Sequence, residues 1–238
     1  YISPNFSIFS IYFLYIYIKK YHFFSKTFIK IIIINLILAL PAFYYVFLLE
    51  VNFFFAKATA SLSGDDKLFF NFSNQILIIP TILFFYLLPF ILTKTIIIDY
   101  NKKIAAYISA SLIITSVAIF FFDYKIEFTG GGIFFHLSNF IFGNNLIFFS
   151  ISFISIYLIL NIFSKNFENL LLLMIIFLGN PQTTIYHKYY DPLMILLIFS
   201  LIITNLNLQN LSKIKSISVI YVYFLVFLVI SNFKHLLN

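Results

Sequence analysis

The chain has 238 residues, of which 62% are hydrophobic and 10% are charged, with a formal net charge of +7. Charged side chains this scarce cannot cover the water-facing surface of a soluble domain, so the composition excludes a soluble globular protein and indicates a membrane protein. The absence of cysteine excludes disulfides and thiolate metal ligands, and four scattered histidines predict no metal site. We interpret the basic balance as chain orientation in a membrane and expect no nucleic-acid binding.

Apolar runs recur along the whole length and are apolar on every face, which favours helices over the alternating pattern of a membrane barrel. The sequence therefore predicts an all-α fold, a polytopic transmembrane helical bundle of about eight spans. We expect one domain over residues 1–238, the C-terminal part of a longer protein, because the chain begins at Tyr1 with no signal peptide. The predicted spans are Pro4–Ile18, Phe28–Leu49, Gln75–Thr93, Ile104–Phe122, Asn145–Ile162, Asn166–Leu178, Pro192–Thr204 and Ile217–Ile230.

An additional apolar piece, Ile133–Phe142, is too short to span a bilayer. Two placements are compatible with it: it lies in the interface, or it dips into the membrane and returns. No predicted span carries a charge near its middle, which disfavours an ion-coupled transporter.

Lysines are unevenly divided between the two sets of alternate connections. One set contains Lys19, Lys20, Lys26, Lys30, Lys94, Lys102, Lys103, Lys165, Lys213 and Lys215; the other set and the tail contain Lys57, Lys67, Lys125, Lys188 and Lys234. The richer set is predicted to be cytoplasmic. Most acidic residues and both long loops, 50–74 and 123–144, fall on the opposite side. Loops of this length are uncommon without a role, so the sequence predicts a functional site on the non-cytoplasmic face.

Three polar stretches on that side are candidate sites. The first contains Gly64-Asp65-Asp66-Lys67 and continues through Asn74 to Gln75 at the start of the third span. It predicts either a turn or a pair of carboxylates, Asp65 and Asp66, that position a substrate or a divalent ion. The second contains Gly130-Gly131-Gly132, which forms a hinge or lets the backbone approach a ligand closely.

The third polar stretch, Asn180–Pro192, is the densest and is called the polar island below. Its flanking spans have about 13 residues each, roughly 20 Å of helix, which is short of a bilayer core of about 30 Å. Either the helices continue into the island, or the island sinks into a cavity; an ordinary loop at the water boundary is the alternative. Paired short segments around a polar break are typical of a binding site. Asp191 before Pro192 suits a helix cap, so His187 and Lys188 are the stronger candidates.

The sequence resembles multi-span glycosyltransferases that use a lipid-phosphate sugar donor, in particular the dolichyl-phosphoglucose alpha-1,2-glucosyltransferase family. One stretch of the sequence, Gly64-Asp65-Asp66-Lys67, is similar to the family's Gly-Asp-basic stretch. In the family this stretch leads through a Gln into an aromatic-rich span, and here it is followed by Gln75 and the aromatic-rich Ile76–Leu88. Tyr186 to Pro192 is similar to the family's acidic residue, Arg-Tyr and Pro before a later span, with His187-Lys188 in place of Arg.

The resemblance implies a hexosyltransferase that moves a sugar from a polyprenyl-phosphate donor to an acceptor glycan on the non-cytoplasmic face, without a cofactor. It places the catalytic base upstream of residue 1. Lys188 and His187 would contact the donor phosphate, Asp65 or Asp66 the sugar or acceptor, and Gln75 and Asp191 complete the expected substrate-binding set. The expected partners are the lipid-linked donor and membrane lipids. The alternative is a non-catalytic membrane subunit or an uncoupled lipid or solute carrier.

Overall fold

The computed structural model describes residues 9–21, 25–44, 72–98, 103–126, 130–164, 166–178, 185, 190–202 and 207–236. In these ranges every regular element is a helix, so the all-α prediction is confirmed. The helices are α1 Phe9–Tyr21, α2 Lys26–Phe43, α3 Phe72–Leu92, α4 Ile104–Phe120, α5 Gly132–Phe142, α6 Leu146–Phe163, α7 Phe167–Leu178, α8 Asp191–Ser200, α9 Leu208–Leu211 and α10 Ile214–Leu236.

Each predicted apolar segment overlaps one of these helices, and α5 occupies the additional short piece. Two helices are long and apolar enough to cross a membrane: α3, with 21 residues, and α6, with 18 residues. The apolar parts of α4, α5, α7 and α10 are shorter. On length and composition, the described part of the chain therefore contains two candidate membrane-crossing helices.

Helix α3 is the centre of the bundle. It contacts α4, α5, α6, α7, α8 and α10. Its apolar residues are buried on several faces, with Leu77, Ile78 and Leu83 completely inaccessible. A helix that is apolar all round is typical of the interior of a helical assembly, and this is the environment that the other helices give to α3.

Small side chains allow α4 and α6 to pack closely. The buried residues of α4 are Ser111, Thr115 and Ala118. On α6, Ser152 is fully buried, and its Oγ lies 3.3 Å from the main-chain oxygen of Leu77 in α3. Small residues at these positions let helix backbones approach each other, which is how helices commonly associate inside membranes.

Contacts at the helix ends define two ends of the bundle, here named the Asn74 end and the Leu92 end after residues of α3. Asp123 lies just after α4 and accepts a hydrogen bond from the side chain of Asn74, in the first turn of α3. Helix α4 therefore runs antiparallel to α3. Tyr107 in the first turn of α4 accepts a hydrogen bond from Ser164, which follows α6. Helix α6 therefore starts at the Asn74 end and finishes at the Leu92 end, where the main-chain N–H of Asn207 also bonds the oxygen of Thr95.

The outer helices are attached by specific contacts. Helix α1 packs on α7 through the Tyr15 and Phe167 rings, 5.1 Å apart, and through an ion pair between Lys19 and Glu168. Helix α2 contacts α1. Most of its described side chains are exposed, among them Ile33, Leu36, Leu38 and Leu40, so α2 lies at the margin of the assembly.

Candidate functional site

The first and second polar stretches meet at the Asn74 end. Asn74 is buried, with 6% of its surface exposed. Its Nδ2 donates to Oδ1 of Asp123 over 2.7 Å, and its Oδ1 accepts the main-chain N–H of Asp123 at 3.2 Å. This reciprocal pair fixes the start of the 123–132 segment against the first turn of α3.

The second and third polar stretches meet through Tyr124 and Ile185. The Tyr124 hydroxyl accepts a hydrogen bond from the main-chain N–H of Ile185 at 3.3 Å. The main-chain N–H of Gly131 donates to the oxygen of Ile185 over 2.9 Å. Tyr124 is 4% exposed and Ile185 is 1% exposed, so this junction is inside the protein. The structure therefore brings together parts of the second and third polar stretches, and the bonds between Asn74 and Asp123 attach the first stretch to the loop that holds the second.

The glycine run is required by both conformation and space. Gly130, Gly131 and Gly132 have φ values of 108°, 84° and 78°, a region that other residues rarely adopt. A Cβ at Gly130 would lie 2.6 Å from the oxygen of Ile185 and 2.9 Å from the Tyr124 hydroxyl. Close approach was one of the two interpretations of this run. The structure shows a close approach, and the group approached is the main chain of the polar island.

Helix α5 starts beside the middle of α3 and returns towards the Asn74 end. A Cβ at Gly132 would lie 3.2 Å from Ile82, which is about 12 Å along α3 from Asn74. The Phe134 ring lies 5.9 Å from the Phe84 ring. Further along, Ser138 Oγ accepts the N–H of Phe148, near the start of α6, at 3.2 Å. Helix α5 therefore runs along α3 from its middle towards the Asn74 end, and its placement relative to a membrane stays a prediction.

Aromatic packing holds this hairpin in place. The Phe135 ring is 1% exposed and lies between 5.4 and 6.0 Å from the rings of Phe122, Tyr124 and Phe148. The Nε2 of His136 donates to the main-chain oxygen of Gly130. The glycine turn is therefore supported from α4, α6 and α5 itself.

The two helices beside the polar island are short, as predicted. Helices α7 and α8 have 12 and 10 residues, against 21 in α3. The Phe199 ring, in the last turn of α8, lies 5.4 Å from the Phe90 ring near the Leu92 end. A helix rises about 12 Å between Asp191 and Phe199, so α8 is too short to run the whole length of α3, about 30 Å.

Ile185, between α7 and α8, is not helical and is buried against the glycine turn. The structure describes Ile185, Tyr190 and the start of α8 from this stretch, so the interpretation in which the island sinks into a cavity stays a prediction. Non-helical backbone at this depth has its polar groups satisfied by Tyr124 and Gly131, as a water-poor interior requires.

The predicted site residues have different outcomes. Gln75 is in the first turn of α3, next to Asn74, and is 2% exposed. Asp65, Asp66, His187 and Lys188 lie outside the described residues. Asp191 was predicted to cap α8, but the cap position is taken by Tyr190, and Asp191 is the first residue of the helix. Helix boundaries commonly shift by one residue, so this correction leaves α8 in its predicted place.

Sequence reasoning did not single out Tyr124, whose hydroxyl makes the joining contact with Ile185. Tyr124 is one of 17 tyrosines, so its residue type carried no signal. The nearby glycine run was the available signal, because three consecutive glycines indicate that a backbone passes close by. Among the described residues there is no group of three His, Asp or Glu side chains that could hold a metal ion.

Helix α5 begins near the middle of α3, and the first main-chain N–H groups of a helix have no partner within it. Helix N-termini carry partial positive charge and commonly bind phosphate or carboxylate groups.

Comparisons of the chain with protein-family models, curated proteins and solved structures find no match.

Proposed function

We propose that this chain is a multi-span membrane protein that binds a polyprenyl-phosphate sugar donor and serves a glycosyltransferase reaction on the non-cytoplasmic face. In this topology the eight predicted apolar segments cross or enter the bilayer, and the Asn74 end faces outward. The two candidate membrane-crossing helices and the opposite directions of α3 and α4 support it.

The observation that carries the proposal is the burial of Ile185 between two short helices and against a glycine turn. In membrane proteins, irregular backbone at membrane depth is tolerated where it is buried in protein or lines a cavity. Short helices interrupted by a polar break are the usual elements of substrate sites in such proteins.

The phosphate is the part of the donor that these elements favour. Lys188 follows Ile185 by three residues and His187 by two, so both belong to the segment that this buried residue anchors. A cation and helix N-termini near one point would stabilise a phosphate leaving group. Asp65, Asp66 and Gln75 are proposed to contact the sugar or the acceptor, in line with the resemblance at Gly64 to Gln75.

The proposal predicts that Lys188→Ala weakens donor binding about 10- to 100-fold, since charge-assisted hydrogen bonds contribute roughly 1.5–3 kcal/mol. Binding of labelled dolichyl-phosphoglucose to the full chain in lipid nanodiscs measures this. Lys125→Ala is the matched control, because Lys125 is exposed near the Asn74 end. Equal affinities of the Lys188→Ala variant and the parent would contradict the assignment.

Transfer is measured separately, in membranes that carry the unsubstituted protein, with labelled sugar on the same donor. The Asp65→Ala/Asp66→Ala double variant is expected to lose transfer while it remains well expressed. Donor binding with no transfer by the parent protein would favour the alternative, an uncoupled lipid carrier. No binding of any polyprenyl-phosphate sugar would favour a non-catalytic subunit.

A further inference from the structure

We infer that Tyr124 is a positioning residue, whose hydroxyl sets the location of the polar island inside the helical bundle. The contact belongs to the structure alone, whereas the role of the island in donor binding rests on the proposed function. Tyr124 is not required to contact Lys188 or His187 in this inference. It acts on them through the main chain of Ile185.

The Tyr124 side chain is held rigidly enough to serve as a reference point. It is 4% exposed, and its ring meets the Phe135 ring edge-on, with centroids 5.4 Å apart and planes at 88°. Phe135 is in turn packed against Phe122 and Phe148. The reciprocal bonds between Asn74 and Asp123 fix the preceding residue. Both the ring and the backbone of Tyr124 are therefore anchored to helices outside the island.

Ile185 is fixed by three independent constraints. Its N–H donates to the Tyr124 hydroxyl, its carbonyl accepts from Gly131, and its side chain belongs to the hydrophobic core. Gly130 leaves no free space on the same side, because even a Cβ there would lie 2.6 Å from the Ile185 oxygen. A loop residue with both main-chain groups bonded and its side chain buried determines where its covalent neighbours begin.

The absence of cysteine from the chain permits a direct test. Ile185→Cys introduces a single thiol, here called the island thiol, and keeps both main-chain hydrogen bonds. The rate of its reaction with a water-soluble maleimide is measured in the full chain in nanodiscs. The island thiol should react slowly, because the side chain it replaces is 1% exposed. Adding Tyr124→Phe removes only the hydroxyl, and we expect about a fivefold faster reaction, the effect of losing one net hydrogen bond.

Two controls separate local release from general loosening. Tyr223→Phe removes a different hydroxyl, one that donates a hydrogen bond to the main-chain oxygen of Phe85. It should leave the reaction rate of the island thiol unchanged. Leu77→Cys places a thiol at a fully buried position, which should react at the same slow rate with or without Tyr124→Phe. An unchanged island-thiol rate in Tyr124→Phe, or an equal increase in Tyr223→Phe, would overturn the inference.

A glycine pair tests the same contact without removing a hydroxyl. Gly130→Ala and Gly143→Ala both introduce a Cβ at positive φ, 108° and 64°, and the backbone strain is larger at Gly130 because 64° lies in the left-handed helical region that other residues sometimes adopt. Only Gly130 has neighbours within 4 Å of the new atom. Gly130→Ala should therefore raise the reaction rate of the island thiol, and Gly143→Ala should not. Equal rates in the two variants would contradict the close packing of the island on the turn.

The effect of the donor on the reaction rate of the island thiol separates this inference from the proposed function. If the island forms the donor site, saturating dolichyl-phosphoglucose slows the reaction of the island thiol in the Ile185→Cys protein, and Tyr124→Phe weakens donor binding whereas Tyr223→Phe does not. If Tyr124→Phe raises the reaction rate of the island thiol fivefold but the donor does not change that rate, Tyr124 positions the island and the donor site lies elsewhere.

Discussion

A proline inside a helix leaves a main-chain carbonyl one turn earlier without its usual donor, and α3 contains two prolines, Pro80 and Pro89. Pro89 cannot bond the oxygen of Phe85. That oxygen instead accepts a hydrogen bond from the Tyr223 hydroxyl of α10 at 3.1 Å. An unpaired carbonyl is costly in an apolar interior, so this single residue both repairs α3 and attaches α10 to it.

Replacing Tyr223 with Phe is therefore expected to destabilise the fold by about 1 kcal/mol. In a Pro89→Ala background the new N–H of residue 89 can bond the Phe85 oxygen, so the same replacement should cost less. Unfolding of the four proteins of this double-mutant cycle in mixed micelles measures the difference. Equal costs in both backgrounds would show that Tyr223 does not compensate for Pro89.

At the scale of the helices, an ion pair between Lys19 and Glu168 connects α1 to α7. Lys19 lies in the last turn of α1 and Glu168 in the first turn of α7, so each charge also complements the dipole of its own helix. The hydrogen bond to Glu168 raises the pKa of Lys19 above its ordinary 10.5. A raised lysine pKa stabilises the fold below that ordinary value, and the contribution is lost as the pH rises through the raised pKa.

Charge reversal tests this connection between helices. Lys19→Glu and Glu168→Lys should each speed amide hydrogen exchange in α1 and leave exchange in the central helix α3 unchanged. The double exchange restores the opposite charges and should recover part of the protection, but not all, because both charges then oppose their helix dipoles. If the double variant loses as much amide protection in α1 as the two single variants lose together, the ion pair contributes nothing to this connection.

At the scale of the whole molecule, residues with related predicted locations gather at the same end. The main-chain oxygen of Lys94, at the Leu92 end, accepts a hydrogen bond from the Asn210 side chain, and Lys213 bonds Asn210 as well. Both lysines were predicted to be cytoplasmic from loop charge alone. Asp123 and Lys125, predicted to face outward, follow α4 at the Asn74 end.

This distribution predicts the labelling pattern of single cysteines in intact cells. Lys125→Cys should react with a membrane-impermeant maleimide from outside, and Lys215→Cys only after the membrane is permeabilised. Both side chains are exposed, so burial does not explain a difference between them. Labelling of both cysteines from the same side would contradict the proposed topology.

Much of this organisation could be predicted because it depends on long apolar runs. The helices α3, α4 and α6 follow directly from such runs, and the shortness of α7 and α8 follows from the polar residues between them. The depth of α5 could not be predicted, since it depends on Gly132 meeting Ile82. Likewise, the residue that anchors the island is Ile185, an apolar residue in a polar stretch, whose importance comes from main-chain bonds to Tyr124 and Gly131.

The central position of α3 has a consequence for biogenesis. In the proposed topology α3 is translated before α4, α5, α6, α7, α8 and α10, all of which pack against it. At least the 146 residues from Thr93 to Asn238 are synthesised after Leu92, which takes on the order of 10 s. During that interval Asn74, Gln75 and Thr81 lack their later neighbours, although the mean hydropathy of 2.3 allows the helix to enter the bilayer alone. Helix α3 is thus expected to be the nascent segment that most needs an insertion chaperone.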